Sequence, residues 1–413
     1  MSRIERVELF HVNIKLSEPF FPSWIPGYPQ THNRSTLIRF TTDDGLVGVS
    51  SGAAFTTERE GLGELLGGFL LGANALDVAT VRQRIKEAGY LGWRNWWIEP
   101  AFWDIRGKAE GKPAYKLLAG SDETVEKVKC YASTGEIRPF EKRKPYLDEI
   151  QKMGFRHVKL RVHDFDEEKD FEILRKAREY VGPDFGIAVD CNQGWRVALV
   201  DDAPLWDLPR ALRFGKVCDE LNIAWIEEPL DMHNFPAYAE LRRQIKTPIA
   251  GGELFTSRQE MQAAMDNEAF DIFQPDCCFA GGLEDGIWLA RECAKRDLTF
   301  TPHTWTNGVG FLMNLAVKAA SGSTLPLEYP YEPPGWTPEG RDAILREPIR
   351  LNPDGTVNVP QAPGLGIDID EVALRRHAKR FHKMTPARLA IRTIREKGLK
   401  AALEIKKKKE SRA

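Results

Sequence analysis

The rhythm of polar and apolar positions changes near residue 127, and that change divides the chain. Residues 3–16 alternate polar with apolar side chains, as a strand with one buried face does. Residues 36–41 and 47–50 flank Asp43-Asp44-Gly45, a hairpin signal. Between the first strand and this hairpin, residues 18–34 are rich in Pro, Gly and aromatics and read as a surface loop. Helical patterns then cover about 57–90 and 99–118, the second closing on Leu117-Leu118-Ala119-Gly120. The first stretch therefore reads as a small α+β unit.

Beyond it, short apolar runs recur, each ended by polar groups: 127–133, 157–162, 186–192, 224–229, 248–253, 271–276, 298–303 and 324–329. Helix-like sequence fills most of the gaps, as at 165–180 and 257–268. Near-continuous apolar strands separated by helix-length connections predict a parallel (β/α) barrel. A doubly wound open sheet is the alternative, but no Gly-x-Gly-x-x-Gly follows a first strand. Residues 350–413 read as a tail that packs back on the first unit, ending in a solvated helix at Lys406 to Lys409.

Composition narrows the class. The 58 Lys and Arg nearly balance 60 Asp and Glu, for a formal charge of −2. That balance offers no general attraction to nucleic acid or anionic membrane. The longest apolar stretch, 65–76, is interrupted by Gly and Asn and falls far short of the roughly 20 residues a span needs. The start, Met-Ser-Arg-Ile-Glu-Arg, lacks the apolar core of a secretory signal. The 6 cysteines show no Cys-x-x-Cys spacing, so a reduced, cytoplasmic protein is expected.

Chemistry gathers at the carboxyl ends of the barrel strands, where such barrels place their catalytic groups. The strand ends read Lys159-Leu160-Arg161, Asp190-Cys191-Asn192, Glu227-Glu228-Pro229, Gly252-Glu253, Pro275-Asp276, Pro302-His303 and Leu327-Glu328-Tyr329. Asp190, Glu253 and one of Glu227 and Glu228 put three carboxylates on adjacent strands; strand alternation admits only one of that pair inward and does not say which. Three converging anions repel unless one is protonated or a cation neutralises them. An all-oxygen set suits Mg²⁺. Lys159 and Arg161 share one strand face and suit a substrate carboxylate or a negative transition state; Lys159 could also act as a base if desolvated. Asp276 and His303 end neighbouring strands and suit an imidazole oriented by a carboxylate. Glu328 would serve as a proton or hydrogen-bond donor if its pKa were raised. Asn192, Gln193, Thr304 and Asn307 suggest a polyhydroxylated substrate, whereas Trp24, Trp195, Trp305 and Trp336 suggest a partly apolar pocket.

Taken in order, Lys159-x-Arg161, Val189-Asp190-x-Asn192, Trp225-Ile226-Glu227-Glu228-Pro229, Gly252-Glu253, Gln274-Pro275-Asp276, Pro302-His303 and Leu327-Glu328-Tyr329 resemble the mandelate racemase subgroup of the enolase superfamily. Residues 101–108 and 117–120 resemble that family's first domain. The resemblance implies a capping α+β domain (1–125), a modified barrel (126–345) and a C-terminal segment completing the cap (346–413). It implies Mg²⁺ on Asp190, Glu227 and Glu253, an acid–base dyad of His303 with Asp276, and Glu328 bonding the substrate carboxylate. The family's loop that closes over substrate matches residues 18–34, which makes Trp24, Tyr28, His32 and Arg34 candidates for substrate contact beside Asn192 and Trp305, and the resemblance implies a homo-oligomer. Many members carry Lys-x-Lys on the second strand; here the second position is Arg161. That departure favours elimination by one base over two-base racemisation, hence a sugar-acid dehydratase, with racemisation, epimerisation or cycloisomerisation as the alternative.

Overall fold

The computed structural model describes residues 2–53, 61–91, 95–121, 124–195, 197–279 and 281–410. Three strands open the chain: β1 Ile4–Phe20, β2 Gln30–Thr42 and β3 Val47–Ala53. They pair antiparallel, and the Asp43-Asp44-Gly45 turn is tied by Thr42 N–H to the Leu46 carbonyl at 2.9 Å. The strands run further than the alternation suggested. Lys15 pairs with His32 and Phe20 with Gln30, because Leu16 and Phe20 keep one face of β1 buried. His32 and Arg34 therefore sit on β2, and only residues 21–29 form the connecting loop, which corrects the 18–34 expectation. The helical stretches also divide, into Leu62–Leu70, Val78–Leu91, Pro100–Glu110 and Ala114–Ala119. Gly72 and Gly111, both at positive φ (78° and 64°), mark the breaks. Residues 57–60 of the expected first helix lie outside the described residues.

The barrel strands follow in the expected order: β4 Lys127–Ser133, β5 His157–Arg161, β6 Gly186–Asp190, β7 Ile226–Glu227, β8 Ile249–Gly251, β9 Ile272–Phe273, β10 Thr299–Phe300 and β11 Leu327–Pro330. They form a parallel sheet in the order β10-β9-β8-β7-β6-β5-β4-β11. Side chains join the β10 and β11 ends instead of a backbone ladder: Thr301 Oγ1 donates to the Pro326 carbonyl (2.9 Å) and Thr304 Oγ1 to the Glu328 carbonyl (2.8 Å). This is a modified barrel. Helices capped by Asp166, Asp207, Ser257 and Asn307 link its strands. A short β12 (Thr356–Asn358) adds antiparallel to β4, and β13 (Ala378–Met384) returns to pair with β1.

Tyr131, Ala188, Trp225, Ala250 and Ile272 pack together inside the barrel. Two residues further along each strand the same face points inward again. That parity delivers Ser133, Asp190, Glu227 and Gln274 to the carboxyl-end rim. All 6 cysteines are buried and free. No described helix is long and apolar enough to cross a membrane.

Candidate active site

The rim holds an unusual density of buried charge. Lys159 is fully buried, with its ammonium 2.5 Å from Glu227, 2.8 Å from Glu328 and 3.7 Å from Asp190. Burial alone would lower its pKa, but Glu227 and Glu328 outweigh that and hold it above the usual lysine value. As the side chains stand these carboxylates favour the ammonium form of Lys159, and Glu227 belongs to the set that a bound cation would neutralise. Arg161 donates through Nε to the Thr134 carbonyl (2.7 Å) and pairs with Asp190. The guanidinium also lies 5.4 Å from the Trp24 ring and 5.5 Å from that of Trp305.

His303 Nδ1 meets Asp276 at 2.8 Å, and its Nε2 stands 3.2 Å from Glu253 and 3.7 Å from Glu328. Burial works against the imidazolium, yet Glu253, Glu328 and the Asp276 bond raise the pKa to about 10. Glu253, the first of those influences, belongs to the very set that a bound cation would neutralise. Glu328 is tied down from three sides. It accepts from Ser133 Oγ (2.7 Å), Lys159 and the Thr304 N–H (2.7 Å). Burial would raise its pKa, but Lys159, His303 and Arg161 hold it well below the carboxylate range. In all three contacts Glu328 is the acceptor.

Both members of the Glu227–Glu228 pair are buried at the rim, contrary to the alternation argument. The strand ends at Glu227, and Glu228 takes a left-handed φ of 46° that breaks the two-residue repeat. Its two carboxylate oxygens are buried with no hydrogen-bond partner, and burial together with Glu253, Asp190 and Glu227 pushes its pKa well up. Gly194 makes the room: a Cβ there would lie 2.3 Å from the Glu228 carboxyl carbon. As the side chains stand, no three His, Cys, Asp or Glu groups among the described residues converge tightly enough to hold a metal ion. The reason is local. Lys159 holds Glu227, Arg161 holds Asp190, and Trp195 Nε1 holds Glu253 at 2.8 Å. The donor set nevertheless fits a hard divalent cation. Asp190, Glu227 and Glu253 supply only oxygens, and beside them sits an orphaned carboxylate that a positive charge would stabilise.

A cavity of about 270 Å³ opens above these groups. Trp24, Tyr28, His32, Arg34, Asn192 and Trp305 all line it, together with Arg161, Glu253 and His303. Lys159, Asp190, Glu227, Asp276 and Glu328 lie in the barrel mouth around it, fully or almost fully buried. Ser23 Oγ in the 21–29 loop donates to Asn192 Oδ1 at 2.5 Å, tying that loop to the barrel. The pocket also uses Gln30, Asn33 and Phe279, which sequence reasoning missed. Gln30 shares one face of β2 with His32 and Arg34, and Asn33 lies between those two, so a longer strand assignment would have exposed them as neighbours.

Three comparisons bear on this site. Residues 146–373 match the family model described as Enolase C-terminal domain-like. The chain is similar to the arabinonate dehydratase of Saccharolobus solfataricus, 32% identical over 70% of this chain and 71% of that one. It is also similar to the D-galactarolactone cycloisomerase of Agrobacterium fabrum, at 29% identity over 82% of this chain and 89% of that one. Among solved structures it resembles the L-talarate/galactarate dehydratase of Salmonella typhimurium LT2 liganded with Mg and L-lyxarohydroxamate, at a TM-score of 0.79 and 26% identity, covering 93% of this chain and 95% of that one. With more than half of its residues inside that family model, and a capped, modified barrel to carry them, the chain belongs to the enolase superfamily.

Proposed function

We propose that this protein is a Mg²⁺-dependent dehydratase of a sugar acid, with residues 1–125 and 346–413 as cap and 126–345 as catalytic barrel. The observation that carries the reading is the asymmetry of the cavity. One wall presents His303 oriented by Asp276; Arg161, a group unable to accept a proton, takes the position of a second base. In this reading His303 removes the proton α to the substrate carboxylate and returns a proton to the departing β-hydroxyl. The C–H and C–OH bonds break, water leaves, and the enol product tautomerises to a 2-keto-3-deoxy acid. Asp276 holds the imidazole through Nδ1, while Lys159 and Arg161 face the negative charge that builds on the carboxylate oxygens. Mg²⁺ held by Asp190, Glu227 and Glu253 would supply electrophilic stabilisation of that same charge. The arabinonate dehydratase relative supports this class, and the Mg-liganded neighbour supports the metal.

The second reading, cycloisomerisation of a sugar lactone or epimerisation of a hydroxy acid, uses the same first step. The cycloisomerase relative favours it, as does the aromatic wall of Trp24, Trp305 and Trp336 that would suit a ring. Product masses over a panel of mono- and diacid sugars and their lactones separate the two, since only dehydration gives a product lighter than its substrate by one water. His303→Asn is expected to abolish turnover while leaving Mg²⁺ binding in place. An active variant refutes the assignment, and deuterium exchange from solvent in that variant would identify Lys159 as the base instead.

A further inference from the structure

Asn314 is fully buried in the middle of the helix Gly308–Ala320, between Met313 and Leu315. A short amide is a poor helix former and costly to bury unpaired. Here it is paired on every side. Its Oδ1 accepts from the Cys277 N–H (3.0 Å), and its Nδ2 donates to Asp276 Oδ1 (2.8 Å) and to the Gly310 carbonyl (3.2 Å). A backbone N–H can only donate, so the Cys277 contact places the amide oxygen, and the amino group must then face Asp276. The Cys278 N–H also donates to Asp276 Oδ1, at 2.7 Å. One carboxylate oxygen is thus occupied by two donors, and the other, Oδ2, meets His303 Nδ1 at 2.8 Å.

We propose that Asn314 is a positioning residue for the acid–base dyad: it fixes the Asp276 carboxylate in the rotation that presents Oδ2 to His303. The imidazole's direction and its Nδ1–H tautomer follow from that rotation. The inference rests on the proposed proton transfer by His303. A purely structural role would use the amide oxygen, which ties the 277 turn to the helix, and the amino group's bond to the Gly310 carbonyl; the positioning role uses the amino group's bond to Asp276. Asn314→Asp separates them, because it keeps the size and the acceptor for Cys277 but turns the donor into a carboxylate that repels Asp276.

The test is ¹H NMR of the Mg²⁺-loaded protein in the low-field region where a histidine Nδ1–H bonded to carboxylate resonates, with assignment by its loss in His303→Asn. Asn314→Asp is expected to displace or broaden that resonance. On the acid that gives most keto product in the sugar panel, kcat should fall by about 10–100-fold with KM little changed. Asn314→Ser, too short to reach both partners, should do the same and serves if the aspartate variant does not fold. An unmoved resonance, an unchanged kcat, or a wild type with no resonance lost in His303→Asn would overturn the proposal. Inactive His303→Asn beside fully active Asn314→Asp sinks only the positioning role, whereas active His303→Asn sinks the proton transfer beneath it.

Discussion

Glu228→Gln tests whether the rim is built around a cation. Both oxygens of this carboxylate are buried without a hydrogen-bond partner, in reach of the charges on Glu253, Asp190 and Glu227. The left-handed backbone at φ 46° and the close approach of Gly194 keep the side chain from swinging away. A buried polar group left unpaired costs about 1–3 kcal/mol. Glutamine keeps the shape, cannot ionise and brings an amino group able to donate to a neighbouring carboxylate. In chelator the variant should therefore be the more stable protein by about 1–3 kcal/mol. With an unfolding entropy of roughly 2 cal/mol/K per residue, that corresponds to a melting point higher by about 1–3 °C for a chain of 413 residues. Added Mg²⁺ should reverse the balance. At 100 times its Kd a ligand stabilises by about 2.7 kcal/mol, or about 3 °C here, and the variant should gain less because it has lost a charge beside the ion. Calorimetric melting in chelator and along a Mg²⁺ titration reads both effects. A variant that melts below wild type in chelator, or that gains as much from Mg²⁺, would refute the reasoning.

Arg161→Lys should lower kcat/KM by about 10–100-fold, since two ring contacts worth about 0.5–2 kcal/mol each and the Thr134 bond are lost; unchanged turnover in the keto-acid assay would contradict it. Lys318 is buried with its ammonium 2.8 Å from the Ser323 carbonyl, and burial lowers its pKa from 10.5 to about 7. Its stabilising contribution is fully present above the unfolded value and is lost as the pH falls through about 7. Lys318→Met should thus gain most over wild type near about pH 6, with an advantage that shrinks by at most about 5 kcal/mol toward pH 10 or so; melting curves that stay parallel across that range would rule this out.

Much of the fold was legible because barrel strands are buried on both faces and announce themselves as short apolar runs cut off by polar groups. The order of β4 to β11 and the rim positions of Lys159, Asp190, Glu253 and His303 followed from that rule alone. Local pattern could not show how far β1 and β2 extend, since their pairing from Lys15 to Phe20 is held by a partner strand, not by alternation. Nor could it show that Glu228 joins the rim: a single left-handed residue overrides the two-residue repeat. Asn314 carried a readable signal, an amide in a helical run of apolar residues, but its meaning needed the Asp276 carboxylate beside it.

The amino-acid order by itself determined which chemistry is present and on which strand ends it sits, because strand period and helix length are local properties. Only the tertiary structure decided charge states and partners. The Lys159 pKa is held up and that of Glu328 held down because each is buried against opposite charge from a different strand. Such interactions depend on distance through space in a poorly screened interior, and residues 159 and 328 become neighbours only when the barrel closes.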